Sequence, residues 1–143
     1  MIIIFLFSAK PAVSSAESSR TIANAVLNIA ENFMDPAQWQ EDRDNVLDTV
    51  DHIVRKTAHF MEYAILASAI ELHYWITKRK GIRFILLSIL FSFLYAATDE
   101  FHQLFVPGRS GECKDVMIDT VGAATGAFLF YFLLILIEHI KRK

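Results

Sequence analysis

The sequence predicts an all-α fold: an integral membrane helical bundle with three clear spans, a short or truncated N-terminal span and amphipathic helices outside the membrane. Of the 143 residues, 54% are hydrophobic and 12 are Phe, whereas soluble domains are roughly 45–50% apolar. The apolar residues are concentrated in runs, since residues 82–98 contain a single charged residue and residues 121–137 contain none. Such runs approach the roughly 17–25 residues that a helix needs to cross a bilayer.

We predict one membrane domain over residues 1–143. Residues 1–9 are apolar but short for a span. The hydrophobic core of a signal peptide is the alternative, but secretory signals usually have a basic residue before that core and none precedes these residues. They are expected to form a short or N-terminally trimmed first span. The other predicted segments are an extracytoplasmic loop with helices at 10–55 and spans at 56–77, 82–105 and 114–140.

The extracytoplasmic segment is predicted to contain two short helices that lie on the membrane surface or cap the bundle. Residues 8–19 are mostly small and are predicted to form a loop. After this loop, Ile22, Val26 and Ile29 recur at helical spacing. Pro36 is expected at the first position of the second short helix.

The basic residues predict the orientation of the spans. Four of the residues in 78–83 are basic, and residues 141–143 are all basic. The positive-inside rule assigns both segments to the cytoplasm, and the two assignments agree because two spans separate them. The single Cys113 excludes an internal disulfide, and we expect no nucleic-acid partner.

Polar residues form a stripe at the outer end of each predicted span. Ionisable side chains persist in lipid mainly where they pair, line a wet cavity or do chemistry. Residues three and four apart lie on the same side of a helix. The stripes consist of Lys56, His59, Glu62 and Tyr63; of Tyr95, Asp99, His102 and Gln103; and of Asp115, Asp119, Gly122 and Gly126.

The three stripes are predicted to meet at one depth. With about 1.5 Å of rise per residue, Glu62 lies roughly 21 Å from Ile76, and Asp99 lies roughly 22 Å from Phe84. The same measure places Asp119 roughly 27 Å from the inner end of the last span. Since the hydrocarbon core is about 30 Å thick, we expect a single polar site in the outer part of the membrane.

Gly122 and Gly126 predict how the last span packs. Small residues let two helix backbones approach closely, and these glycines continue the stripe of Asp115 and Asp119. Whichever helix packs on the glycines is therefore expected to meet those two acids as well.

The residue types of the polar site suit either metal binding or acid–base catalysis. His59, Glu62, Asp99 and His102 offer nitrogen and oxygen ligands suited to a divalent metal, although the sequence requires no cofactor. A histidine near carboxylates can instead act as a general acid or base. His59, Glu62, Asp99 and Glu100 are the candidate catalytic residues in that case.

A network of ion pairs is the purely structural alternative. In that network Lys56 and Arg109 neutralise the surrounding carboxylates. Arg109 can also grip a phosphate or carboxylate, because its planar guanidinium matches their geometry. Glu71, His73 and Glu138 lie near the inner ends of the spans, and we predict that they are interfacial rather than functional.

Three motifs resemble those of the VanZ-like membrane proteins. Residues 55–66, RKTAHFMEYAIL, resemble the family signature RKxAHFxEYxxL, and residues 99–109, DEFHQLFVPGR, resemble DExxQxFxPGR. Residues 115–122, DVMIDTVG, match the DxxxDxxG that follows, and residues 7–11 resemble the segment after the first span. The residues that the motifs carry over are Lys56, His59, Glu62, Tyr63, Asp99, Glu100, Gln103, Pro107, Gly108, Arg109, Asp115, Asp119 and Gly122.

The resemblance implies a multi-pass protein of the bacterial cytoplasmic membrane, of the kind linked to low-level teicoplanin resistance. We expect an outward-facing site that binds an anionic lipid or cell-wall precursor group in a protein that contributes to such resistance. The alternatives are a membrane-embedded hydrolase or transferase acting on a lipid-linked substrate, and a structural polar core in a partner-binding subunit. The expected anion-binding residues are Lys56, Arg109, Gln103 and Tyr63. The expected orienting residues are Asp115, Asp119, Gly108, Gly122 and Pro107.

Overall fold

A computed structural model describes residues 12–30, 36–106 and 111–143. These ranges contain four helices and no strand, so the all-α prediction is confirmed for them. The predicted first span at 1–9 and the loop residues Pro107, Gly108 and Arg109 lie outside the described residues. The helices are α1 (Ala12–Ala30), α2 (Pro36–Ile76), α3 (Ile82–Gln103) and α4 (Cys113–Lys141).

Helix α1 begins earlier than the sequence predicts. The loop expected at 8–19 is wrong from Ala12 onward, because α1 starts there. Alanine has the highest helix propensity and serine costs only a few tenths of a kcal/mol, so this Ala- and Ser-rich stretch continues the helix that follows it. The buried face of α1, Ala23 and Leu27, packs against Leu47 of α2.

Helix α2 is a single rod of 41 residues. The sequence predicts a short extracytoplasmic helix and a separate helix for the span that begins at residue 56, and that separation into two helices is wrong. Neither Gly nor Pro occurs between residues 37 and 76, so no residue breaks the backbone hydrogen bonding. At about 1.5 Å per residue α2 is roughly 60 Å long, about twice the hydrocarbon thickness of a bilayer.

Helices α3 and α4 are long and apolar enough to cross a membrane. Among the described helices α2 does not pass the same test, and three spans are therefore not confirmed. Glu62 and Glu71, together with His59 and His73, lower the apolar content of its C-terminal half.

The turn between α2 and α3 contains Gly81 at φ 111°, a left-handed conformation that glycine adopts without strain. This agrees with the tight turn that the sequence predicts there. Lys80 of the same turn bonds Glu138 near the end of α4 and lies 3.9 Å from the ring centre of Trp75. The turn is thereby attached to the adjacent ends of α2 and α4.

The core lies where α2, α3 and α4 meet, and the most extensive interhelical contact is between α2 and α4. Small side chains dominate it, so the helix axes approach closely and leave little room for water. The buried members of this cluster are Tyr63, Ala67, Ile85, Ala96, Ala123 and Ala127.

Candidate functional site

Two glycines of α4 bring it against the backbone of α2. A Cβ atom on Gly122 would lie 3.0 Å from the Cα atom of Phe60, and one on Gly126 would lie 2.7 Å from the Cα atom of Ala64. Both distances are below ordinary carbon–carbon contact of about 3.5–4.0 Å, so only glycine fits. The hydroxyl of Ser68 also bridges the helices, lying 3.1 Å from the carbonyl oxygen of Gly126.

This close approach aligns the polar stripes of α2 and α4, and α2 is therefore the helix that meets Asp115 and Asp119. Lys56 Nζ donates a hydrogen bond to Asp115 Oδ1. One turn further along, His59 Nδ1 lies 3.9 Å from Asp119 Oδ1. The two pairs follow the same i, i+3 and i, i+4 spacing on the facing helices, as expected for helices in register.

The acids of α3 are held by Gln103. Its side-chain Nε2 donates to Asp99 Oδ2 at 3.3 Å and to Glu100 Oε1 at 3.1 Å. Glu100 Oε2 accepts a further hydrogen bond, of 3.0 Å, from the backbone N–H of Glu112 at the start of α4. Gln103 therefore positions two carboxyl groups, and Glu100 ties α3 to α4.

The site is strongly acidic and largely buried. Asp99, Glu100 and Asp119 are 3%, 5% and 1% exposed, and Asp119 lies within electrostatic reach of both of the others and of Asp115. Lys56 is the only Lys or Arg that forms an ion pair with these acids among the described residues. Both oxygens of Asp119 and Oδ1 of Asp99 have no hydrogen-bond partner in that part of the chain.

Tyr63 closes the inner side of the site. Its ring is fully buried and lies 6.3 Å, centre to centre, from the ring of Tyr95 on α3. Within the described ranges its hydroxyl has no hydrogen-bond partner, and it lies in the electrostatic field of Asp99 and Asp119. Tyr63 thus separates the acidic site from the small-residue core.

The predicted site residues fall into two groups. Most of them meet at the α2–α3–α4 junction, whereas Pro107, Gly108 and Arg109 lie outside the described residues. No set of three or more His, Cys, Asp or Glu side chains is grouped to hold a metal ion in the described ranges. The candidate ligands His59, Glu62, Asp99 and His102 therefore do not form a metal centre there.

The burial of Glu71 was not predicted from the sequence. The prediction that Glu71 is interfacial is wrong, because its side chain is fully buried between α2 and α3. Its Oε2 accepts a 3.1 Å hydrogen bond from Ser88. The sequence does contain a signal for the burial of Glu71, since Tyr63, Ala67 and Glu71 lie on one face of α2 and Ser88 interrupts the apolar run of α3.

No curated protein and no solved structure matches this chain significantly. The family model described as VanZ/LLP1 matches residues 1–135, which is nearly the whole chain. The match includes all three polar stripes, the whole of α3, and α4 as far as residue 135. The chain therefore belongs to the VanZ/LLP1 family.

Proposed function

We propose that this chain is a multi-pass protein of the bacterial cytoplasmic membrane whose outward-facing polar site binds the anionic headgroup of a lipid or cell-wall precursor. The observation that carries the proposal is the position of Lys56 at the rim of a buried acidic cluster. Its side chain is 21% exposed and its partner Asp115 is 17% exposed, so the pair is reachable from outside the bundle.

The ammonium group of Lys56 can donate a hydrogen bond to a ligand in addition to its bond to Asp115. An ammonium group carries three hydrogens, and one of them is donated to Asp115 Oδ1. A phosphate oxygen can accept another without breaking the ion pair. Asp115 then acts as the residue that orients Lys56, as the sequence analysis expected of it.

The buried acids decide which anions fit. Asp99, Glu100 and Asp119 would repel a ligand that carries only negative charge. A headgroup that joins a phosphate to hydroxyl or ammonium groups is complementary, because its donors face the carboxyl groups while its phosphate faces Lys56. Arg109 is the second residue that the sequence predicts to bind the anion. Phospholipid and cell-wall precursor headgroups both belong to this chemical class.

The basic segments give the orientation of the protein in the membrane under this proposal. Residues 78–83 and 141–143 are placed in the cytoplasm by the positive-inside rule, which puts Lys56 and Asp115 on the outer side. The spans are α3, α4 and the C-terminal half of α2, whose Lys56, His59 and Glu71 contact the neighbouring helices rather than lipid. The N-terminal half of α2 and helix α1 then stand outside the membrane.

A membrane-embedded hydrolase or transferase is the second candidate function, and the pairing of His59 with Asp119 favours it. The 3.9 Å separation of their nearest N and O atoms is longer than a hydrogen bond, but catalytic hydrogen bonds commonly tighten only when substrate is bound. In this role His59 is the general base and Asp119 orients it. Asp119→Asn is then expected to abolish turnover of a lipid-linked substrate while leaving binding in place.

Binding is tested with the full chain in lipid nanodiscs. The probes are a short-chain phosphatidylglycerol and a polyprenyl diphosphate that carries a sugar, whose hydroxyl groups supply the donors, with phosphatidylcholine as the zwitterionic comparison. Hydrogen bonds to charged groups contribute about 1.5–3 kcal/mol, so Lys56→Gln is expected to weaken binding of the preferred probe roughly 10- to 100-fold. Native mass spectrometry measures the change.

Lys80→Gln is the matched control, because Lys80 is also a lysine paired with an acid on α4, but at the opposite end of the bundle. It should leave probe binding unchanged. Equal losses in the two variants, or no loss in Lys56→Gln, would contradict the proposed anion site. Preference for the sugar-bearing polyprenyl diphosphate over phosphatidylglycerol identifies the cell-wall precursor as the ligand class.

The link to glycopeptide resistance is tested in a susceptible bacterium that expresses this chain. We expect a small rise in the teicoplanin concentration that inhibits growth, and its loss in Glu62→Gln, Asp99→Asn and Asp119→Asn at normal membrane levels of protein. Loss of the protein itself from the membrane would instead support the structural polar core.

A further inference from the structure

Glu71 is a second buried acid, separate from the outer site. It follows Tyr63 by eight residues on the same face of α2, which is roughly 12 Å along the helix towards the basic turn. Its side chain is fully buried. Neither the outer site nor the proposed ligand uses it.

The surroundings of Glu71 are polar on one side only. Ser88 of α3 places its hydroxyl oxygen 3.1 Å from Glu71 Oε2 and 2.9 Å from the carbonyl oxygen of Phe84. Within the described ranges the other carboxyl oxygen, Oε1, has no hydrogen-bond partner, and Glu71 forms no ion pair with any residue of those ranges.

The nearby charged and titratable groups do not neutralise Glu71. On its own helix His73 is exposed to the outside of the bundle, and Tyr131 of α4 packs against the core and the ring of Trp75. Lys80 of the basic turn pairs with Glu138 instead. A carboxylate in this position would therefore be a buried charge with one hydrogen bond, which costs far more than that bond returns.

We propose that Glu71 and Ser88 form a proton-binding site in the half of the bundle nearest the basic turn. In the protonated form Glu71 Oε2–H donates to Ser88 Oγ, and Ser88 donates its own hydrogen to the carbonyl of Phe84. When the proton leaves to solvent water, the Ser88 hydroxyl rotates and donates to Glu71. Since Ser88 has one hydrogen and two acceptors, the geometry accommodates both forms, and the neutral form is the resting state.

Infrared spectroscopy of the full chain in lipid vesicles tests this site. A neutral carboxylic acid has a carbonyl stretching band that is separate from the bands of a carboxylate. Glu71→Gln is expected to remove one acid band at neutral pH and to leave the carboxylate bands unchanged. Glu138→Gln, which removes an ion-paired acid at the same end of the bundle, should do the opposite.

Ser88→Ala provides a second readout and adds no bulk to the helix interface. It removes the hydrogen-bond partner of Glu71, so the acid band is expected to shift to higher frequency rather than disappear. A Glu71→Gln spectrum that loses carboxylate bands, or a Ser88→Ala spectrum with an unchanged acid region, would overturn the proposal. Loss of the acid band on adding sodium chloride would also overturn it, because the site would then bind a metal cation in place of the proton.

Discussion

Replacing Gly126 with Ala is expected to push α4 away from α2. The added Cβ atom would lie 2.7 Å from Cα of Ala64, whereas the same change at Gly122 places it 3.0 Å from Cα of Phe60. The opposing atoms belong to the backbone, so no side chain can rotate to make room. The helices themselves must separate, by about 1 Å at Gly126 and by less at Gly122, to restore ordinary contact.

The energetic cost of this separation follows from packing. A gap of about 0.5–1 Å forfeits roughly a quarter to a half of the dispersion energy of each affected contact, and overpacking a close-fitting interface costs about 1–3 kcal/mol. The bridge from Ser68 to the carbonyl oxygen of Gly126, 3.1 Å long, is lengthened as well. Against a total stability of about 5–15 kcal/mol, Gly126→Ala should be clearly destabilising and Gly122→Ala less so.

Trp75 reports directly on this interface, because its ring lies 5.8 Å from that of Tyr131 on α4. We suggest a Trp39→Phe background, which leaves Trp75 as the only tryptophan of the chain. Unfolding in mixed detergent micelles, followed by the fluorescence of Trp75, gives the free-energy difference between variants. Val121→Leu is the control, since it adds volume to α4 at a position that is 58% exposed.

The order of the stabilities of the variants tests the close approach of the α2 and α4 backbones. Gly126→Ala must be less stable than Gly122→Ala, and both must be less stable than Val121→Leu. A Gly126→Ala protein as stable as the parent would refute the close approach of the two backbones. It would also remove the physical basis for the alignment of the outer polar stripes.

Three further outcomes are expected. A double-mutant cycle of Lys56→Gln and Asp115→Asn should give a coupling free energy of about 0.5–3 kcal/mol in detergent unfolding, and additive effects would mean that the two side chains do not interact. The corresponding cycle for Lys80 and Glu138 should show a smaller, salt-sensitive coupling, because both side chains are well exposed; a coupling as large as that of the outer pair would contradict this. Leu27→Ala, at a side chain that is 2% exposed, should release α1 from α2 and raise hydrogen exchange within α1 while leaving α3 and α4 protected, whereas uniform loss of protection would show that α1 is part of the main core.

Helical spacing explains why much of the candidate site could be predicted. The periodicity of an α-helix places Lys56 beside His59, and Asp115 beside Asp119, whatever the helices pack against. The small residues at Gly122 and Gly126 additionally predict that one helix lies close to those acids, and the structure identifies α2 as that helix.

The division of α2 into two helices was predicted wrongly for a local reason. The aspartates before residue 52 indicate a water-exposed helix, and the apolar residues after it indicate a buried one. A change of environment does not require a change of backbone direction, and without Gly or Pro the hydrogen bonding simply continues. Composition therefore indicates the surroundings of a helix, water or apolar, more reliably than the residue at which the helix ends.

The sequence by itself determined the all-α class, the apolar character of α3 and α4, and which polar residues share a face of each helix, because these follow from composition and from the helical repeat. Only the tertiary structure decided which faces meet. It paired Lys56 with Asp115, assigned Gln103 to hold Asp99 and Glu100, and enclosed Glu71 against Ser88. The physical reason is that burial depends on the neighbouring helix. Glu71 lies near the C-terminal end of α2, where an interfacial side chain is expected, and contact with α3 excludes it from water.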